Sequence, residues 1–252
     1  MPTGGDDISV ERALRYDRWY ETPPGRGALG RERQELMALL PKCYNSALEV
    51  GCGTGRFLEA IGAGASGPCV GLDRSASMLK IASRRVERCW LVVGDARRLP
   101  FKSGSFDVVA LLFVLEFLPD PLGAVLEALR VAREVVVFGG INPKSLWGLR
   151  YWLRRELARR GIIRSSFASA ILRPPSKARS ILLRALDISG VEARLRERGG
   201  LLLPPLSPFW LLPGALALDK LLSAALRPLG GFYMISCQIL EKGGKERWRK
   251  PG

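Results

Sequence analysis

Leu48-Glu49-Val50-Gly51-Cys52-Gly53-Thr54-Gly55 is a short apolar run that passes straight into alternating glycines, and the reading of the chain turns on it. Glycine adopts backbone conformations closed to other residues and lets main chain approach a ligand without a Cβ in the way. A helix starting at about Arg56 would present free N–H groups there, a seat for a carboxylate or phosphate. The loop is not the dinucleotide fingerprint: the position three residues past Gly53 holds Arg56, where that pattern needs glycine.

Working outward, short apolar runs alternate with helical periods. Ala47–Val50 reads as a first strand and Cys69–Asp73 as a second, followed by a helix from Ser75 to Val86. Cys89–Val93 is a third, and Phe106–Phe113 a fourth whose near-continuous apolar character fits burial on both faces. A helix over Asp120–Arg133 leads to a fifth strand, Glu134–Phe138. Such alternation predicts an α/β fold, a parallel sheet covered by helices with right-handed crossovers. Ahead of it, helices are expected over 8–20 and 28–40, separated by a turn at Thr22–Arg26. After Gly140 the pattern changes. Residues 144–160 read as a cationic amphipathic helix with Leu146, Leu149, Leu153 and Leu157 in one stripe, and 176–198 read as helical. Leu201–Leu203 and Phe232–Leu240 are candidate closing strands, joined by a proline-rich connection and a short helix at Ala215–Leu226.

Acidic residues punctuate the strand ends. Asp73 closes the second strand, where a carboxylate can accept two hydrogen bonds from a ribose diol. Asp95 closes the third, where an acceptor could take an exocyclic adenine N–H. Asp107 opens the fourth strand, which suits a structural role. Ligands of open parallel sheets sit outside the carboxyl ends of the strands, and Gly51–Gly55, Asp73 and Asp95 all fall there.

Composition narrows the chemistry. Among 252 residues there is no histidine, which excludes Ser-His-Asp triads, Cys-His dyads and a histidine base. The net charge of +15 is uneven: residues 1–140 hold 18 Lys/Arg against 17 Asp/Glu, and residues 141–185 hold 11 against 1. The cationic second half points to an anionic partner, although 30 of the 39 basic residues are Arg, a bias that also fits a GC-rich or heat-adapted genome. Five cysteines without a C-x-x-C pair fit free thiols and a reducing cytoplasm. Residues 1–12 lack the apolar core of a signal peptide. The greasy stretch Leu201–Leu222 is broken by four prolines and two charges, a poor candidate for a spanning helix.

LEVGCGTGRF, VGLDRSASML, VVGDARRLPF and SFDVVALLFVLEFLPDP resemble the successive motifs of class I S-adenosylmethionine (SAM)-dependent methyltransferases, within the group that includes the ubiquinone/menaquinone-biosynthesis enzymes and the type 11 domain. The lead-in YDRWYETPPGR is similar to that group as well. The resemblance implies a Rossmann-like sheet of seven mostly parallel strands, order 3-2-1-4-5-7-6 with the last antiparallel, and helices on both faces. It implies an N-terminal helical lid at 1–40, a SAM-binding core at 41–140, a basic helical insertion at 141–185 that caps the substrate, the rest of the sheet at 186–242 and a disordered basic tail at 243–252. Glu49, Gly51, Cys52, Gly53 and Gly55 would frame the methionine end of SAM. Asp73 would hold the ribose, Arg74 and Met78 the adenine face, Asp95 and Ala96 the adenine amino group. Leu112 and Phe113 would pass near the methionine amino group, and Tyr16, Tyr20 and Arg26 would close the lid. Glu116 stands near a position where some relatives carry histidine, and is the candidate base.

The activity implied is methyl transfer from SAM, without a metal, to a small lipophilic acceptor. Trp147, Tyr151, Trp152 and Phe167 would line its pocket. For the basic 141–185 region three readings stand open: a substrate lid with an Arg-rich outer face, an interfacial helix docking on anionic membrane, or a grip on nucleic acid, the least favoured. An RNA or protein methyltransferase is the alternative. The expected location is cytoplasmic, with peripheral membrane contact.

Overall fold

The run Phe106–Leu112 becomes the middle of the sheet, with all seven residues buried. A computed structural model describes residues 9–162, 170–200, 221 and 229–242. In chain order the elements are α1 (Val10–Trp19), α2 (Pro23–Met37), β1 (Ala47–Val50), α3 (Arg56–Gly64), β2 (Cys69–Asp73), α4 (Ala76–Ala82), β3 (Cys89–Val93), β4 (Phe106–Leu112), a 3-10 turn (Leu115–Phe117), α5 (Leu122–Val131), β5 (Ala132–Ile141), α6 (Leu146–Arg159), α7 (Pro175–Ser189), β6 (Val191–Gly200) and β7 (Phe232–Lys242). The seven strands order as β3-β2-β1-β4-β5-β7-β6. β1 to β5 are parallel, and β7 runs antiparallel to both β5 and β6. After β3 the chain crosses back to the other side of β1, so a crevice opens between the ends of β1 and β4, the switch point where such sheets hold ligands.

Both faces of the sheet are covered. Leu48, Val50, Val109, Leu111, Val136 and Phe138 pack against α5 and α7. Ala47, Val108, Ala110 and Val137 pack against Leu29 and Leu36 of α2, Phe57 and Ile61 of α3, and Trp147 of α6. Each large side chain buried this way contributes about 1.5–3 kcal/mol relative to exposure.

Three sequence expectations are corrected. Thr22-Pro-Pro is not a turn: the Thr22 hydroxyl accepts the Gly25 N–H at 3.2 Å and caps α2. Pro23 and Pro24 then occupy first-turn positions that need no N–H partner. The helix expected over 176–198 ends at Ser189, where Gly190 takes a left-handed C-cap. The next residues alternate inward Val191, Ala193 and Leu195 with exposed Glu192, Arg194 and Arg196 and form β6. The boundary expected at 185 falls inside α7, whose Ala178, Leu182, Ala185 and Leu186 belong to the main core. Expectations for 201–203, for the 215–226 helix (apart from Leu221), for Phe167 and for the 243–252 tail lie outside the described residues.

Candidate functional site

The crevice is floored by the glycine turn after β1. Gly51, Gly53 and Gly55 have φ of +74°, +53° and +78°, the region that disfavours any side chain. A Cβ on Gly51 would lie 2.3 Å from Val114 Cγ2, whereas one on Gly53 would meet nothing within 4 Å. Main chain at Gly53 therefore faces open space. The Gly53 N–H donates to Asp73 Oδ2 at 2.8 Å, and the Ser75 N–H to Asp73 Oδ1 at 2.9 Å. The ends of β1 and β2 are thus tied through one carboxylate. Burial raises the Asp73 carboxyl, against the pull of those two N–H groups.

Glu49 lies beneath, 1% exposed. It accepts a backbone hydrogen bond from Leu58 in the first turn of α3, yet burial and the nearby Asp73 push its carboxyl well above the usual range. Its Oε2 has no partner among the described residues. Cys52 is buried, with its thiol pushed up by burial. Across the crevice Phe113 has φ of +56°, the only non-glycine residue with positive φ among those described. Its ring lies 5.8 Å from that of Phe57, and its N–H donates to Gly139 O at 2.8 Å. Strain held like this, beside buried Leu112 at the end of β4, is commonly kept at functional sites.

α1 is fastened over this floor. Asp17 accepts Arg56 Nε and Nη2, both at 2.8 Å, and Arg85 Nη2 at 3.0 Å. Burial alone would raise the Asp17 carboxyl, but the two guanidinium groups outweigh it and hold it low. Arg56, the residue that spoils the dinucleotide fingerprint, also stands 5.7 Å over the Tyr20 ring, and Arg85 donates to the Thr54 carbonyl of the glycine turn. Tyr16 and Tyr20 hydroxyls meet at 3.1 Å. Burial and the charges of Glu32, Glu49 and Asp73 keep the Tyr16 phenol protonated, pushed up to about 12.

Beyond β4 lies Glu116, 4% exposed. Its Oε1 accepts the Ile141 N–H at 2.8 Å, while Oε2 has no partner among the described residues. Burial pushes the carboxyl up to about 7, the Ile141 N–H opposing. Arg173 holds the carbonyls of Leu115 and Leu118, and Ile171 N–H donates to Glu116 O at 2.7 Å. A cavity of about 720 Å³ opens between α6 and residues 170–172, with Leu146, Leu149, Tyr151, Trp152, Ile171 and Leu229 in its wall. Tyr151, in the cavity wall, also packs in one cluster with Tyr16 and Tyr20.

Residues 48–138 match the family described as "Methyltransferase domain". An uncharacterised protein of Mycobacterium tuberculosis is 33% identical over 160 residues, covering 63% of this chain and 54% of that protein. The demethylmenaquinone methyltransferase of Lactiplantibacillus plantarum is 39% identical over 110 residues, 40% of this chain and 46% of that enzyme. The chain spans about half the length of these curated relatives. A solved structure from Thermotoga maritima, described as a SAM-dependent methyltransferase and possible histamine N-methyltransferase, superposes with a TM-score of 0.68 at 23% identity, covering 92% of this chain and 97% of that one. Residues 48–138 therefore carry a methyltransferase domain, and the fold is that of solved SAM-dependent methyltransferases.

Other expected site residues fall less neatly within this methyltransferase domain. Asp95 is half-exposed, and Arg97 grips it through Nε–Oδ1 at 3.1 Å and Nη2–Oδ2 at 2.7 Å, holding it below the usual carboxylate range. Arg74 is exposed. Met78 is buried with Ala13, Leu14 and Tyr16, so it anchors α1. Ala96 packs on the main core. Arg26 lies on the exterior and donates to the Glu21 carbonyl, so it is not part of the crevice. Asp107 is structural: it accepts Asn45 and Ser46 N–H at 2.9 and 3.0 Å and pairs with Arg133. Trp147 is 7% exposed and packs inward, so it does not line the cavity, whereas Tyr151 and Trp152 do.

The α6 stripe also differs from its simplest reading. Leu146, Leu149 and Leu153 are 49%, 58% and 51% exposed, and Trp152 is 61% exposed. The helix buries Trp147 and Gly148 instead. No helix among the described residues is long and apolar enough to cross a membrane. Sequence reasoning missed Glu32, which is buried in α2 with an unpartnered Oε2 and a carboxyl that burial pushes up to about 8. In Arg31-Glu32-Arg33-Gln34-Glu35 nothing sets that glutamate apart from a solvated helix face.

Proposed function

We propose that the protein transfers the methyl group of SAM to a small lipophilic acceptor that lodges in the cavity beside α6. The observation that supports this reading is Tyr151, which lines the apolar cavity and also packs in one cluster with Tyr16 and Tyr20 at the end of α1. The residues suit the cofactor. Open space over Gly53 admits an adenosyl group, the Asp73 carboxylate offers acceptors to a ribose diol, and the unpartnered Glu49 Oε2 suits an ammonium.

SAM, when bound, supplies a methyl already activated by its sulfonium, so the protein's share is to align, to exclude water and to manage one proton. Alignment of two bound partners is worth roughly 7–11 kcal/mol in well-arranged cases. Phe113, at the end of β4, packs against Phe57, and the Asp17–Arg56–Arg85 cluster holds α1 against the glycine turn. Glu116, with an unpartnered Oε2 and a carboxyl that burial pushes up to about 7, is the candidate to take the acceptor's proton.

The same reading gives α6 a part in delivery. At about 100° per residue its exposed leucines share one side, flanked by Arg150 and Arg154 along one edge and Arg155 and Arg159 along the other. An outward apolar stripe between cationic rows fits an anionic lipid surface, and Leu146, Leu149 and Trp152 of that stripe also line the cavity.

Radiolabelled SAM incubated with the protein and separated lipid, RNA and protein extracts tests the whole. Label in lipid alone is the expected result. Label in RNA or protein overturns the acceptor class, and the absence of heat from both SAM and its product S-adenosylhomocysteine (SAH) in calorimetry of folded protein overturns the cofactor. Vesicles of phosphatidylglycerol should bind the chain in a salt-sensitive way, and Trp152→Glu should release it. Equal binding to phosphatidylcholine, or no effect of the substitution, removes the lipid-docking role of α6.

A further inference from the structure

Glu32, Glu49 and Glu116 are each at least nine-tenths buried, and the Oε2 of each lacks a hydrogen-bond partner among the described residues. Buried polar atoms without partners are few in folded proteins and call for a physical reason. Glu49 is explained by the cofactor's ammonium. Glu116 is explained only in part, and Glu32 not at all.

Glu32 lies on the buried face of α2 with Leu29 and Leu36, which pack in one cluster with Tyr16, Tyr20 and Tyr151. Around it stand Tyr16 and Tyr20 of α1, whose hydroxyls touch each other, and Tyr151 of α6. Glu116 lies behind the same cavity: its carbonyl accepts the N–H of Ile171 at 2.7 Å, and Ile171 lines the cavity with Tyr151. The nearby cations are committed elsewhere. Arg31 pairs with Glu35 at 2.7 Å, and its buried Nε, without a partner among the described residues, lies against Gly200 of β6. Arg33 holds the Arg56 carbonyl and Glu59. Arg173 is spread over the carbonyls of Leu115, Leu118 and Pro119. Lys144 and Arg155 line the cavity but are exposed.

We infer that Glu32 and Glu116 form an acidic subsite for a basic nitrogen, and that the methyl acceptor is an amine with an apolar body. The inference rests on the proposed methyl transfer. A carboxylate, phosphate or phenolate end would meet buried carboxyl groups and find no available cation there. An amine supplies the N–H donors that the two unpartnered oxygens lack, and phenol rings around it favour a cation by their π faces. In the transfer, the ammonium first gives a proton to a carboxylate of the subsite. The freed nitrogen lone pair then forms the N–CH₃ bond as the C–S bond breaks, its electron pair passing to sulfur. The carboxyl later returns its proton to water, so one proton leaves per turnover and the methylated amine keeps the positive charge.

Calorimetry on the full chain saturated with SAH tests this, using straight-chain primary amines of graded length and the matching alcohols as probes. Amines should bind at least about tenfold tighter than their alcohols, and Glu32→Gln should remove most of that preference while SAH affinity stays the same. Burial holds Glu32 protonated up to about 8. Pairing it with an amine at pH 7 should therefore expel a proton, seen as a heat that varies with the buffer and fades above pH 8, and alcohols should expel none. The wild-type comparison needs no variant, so a misfolded Glu32→Gln protein cannot mask the result. Alcohols binding as tightly as amines across the series, or a preference intact in Glu32→Gln, would overturn the inference. SAH heat separates the two levels: SAH binding without an amine preference defeats this inference alone, and no SAH binding defeats the methyltransferase reading with it.

Discussion

The floor of the crevice and its cap are built on opposite rules. In the floor, backbone N–H groups fix the acids, Asp73 by Gly53 and Ser75 and one oxygen of Glu49 by Leu58. In the cap, side chains meet side chains, as Asp17 does with Arg56 and Arg85, or meet nothing, as with Glu32 Oε2. Backbone-held acids sit where the sheet puts them, a geometry suited to one invariant ligand. Acids held by side chains, or left without partners, can differ from one chain to the next without disturbing the sheet, a geometry suited to selecting an acceptor.

The sharpest way to break this contrast is to cut the cap from the floor. Asp17, Arg56 and Arg85 are mostly buried, and Asp17→Asn leaves Arg85 without a counter-charge and Arg56 with only the exposed Glu21 at 3.2 Å. Breaking such a buried pair costs about 3–5 kcal/mol, to be read by denaturant unfolding. The Asp17 carboxyl is held low when folded, so its stabilisation is present above the ordinary aspartate range and lost as pH falls through the depressed value. Asp17→Asn should flatten that acid limb, and an unchanged limb would mean that the cluster does not fasten α1.

Next in size is the floor itself. Asp73→Ala strips two backbone N–H groups of their acceptor and removes the proposed ribose partner. SAH affinity should fall about a hundredfold, close to 3 kcal/mol. A variant that binds SAH like wild type would show that the strand-end acid does not read the cofactor. Glu116→Gln keeps the shape and should keep SAH binding, yet lower kcat by on the order of 10². With the Glu116 carboxyl at about 7, wild-type kcat/KM should rise with pH through neutrality as the base ionises, and the variant should lose that rise. If both survive, Glu116 is only the bracket that holds the turn after β4 to Ile141.

The same contrast explains what the sequence made legible. Gly51, Gly53 and Gly55 could be read because positive φ demands glycine, and β1, β2 and β4 because doubly buried strands must be apolar. The start of α2 was hidden by Thr22-Pro-Pro, which serves turns and helix caps alike. β6 was hidden because the helical period of α7 runs up to Gly190, and only the alternation beyond it reveals the change. The facing of α6 is not a sequence property at all. Amphipathic periodicity says that an apolar stripe exists, but whether the leucines or Trp147 turn inward depends on what the sheet offers. Glu32 could not be found because a buried carboxyl in α2 and an exposed one are spelled alike.

The smallest effect tests whether Glu32 is retained at a cost to stability. Its carboxyl titrates at about 8 when folded, against an ordinary value near 4.5. Between those values the folded chain binds more protons than the unfolded one, so stability should fall as pH rises from 5 to 8. Each unit of such a shift is worth about 1.4 kcal/mol as an upper bound, and water entry and relaxation around the carboxylate reduce it. A difference of about 1–2 kcal/mol between wild type and Glu32→Gln, opening toward pH 8 and absent at pH 5, is expected from denaturant midpoints. Parallel curves would mean that Glu32 ionises freely in the folded chain and that the cap carries no suppressed charge. Curves that diverge would place the cap among sites that give up stability for recognition.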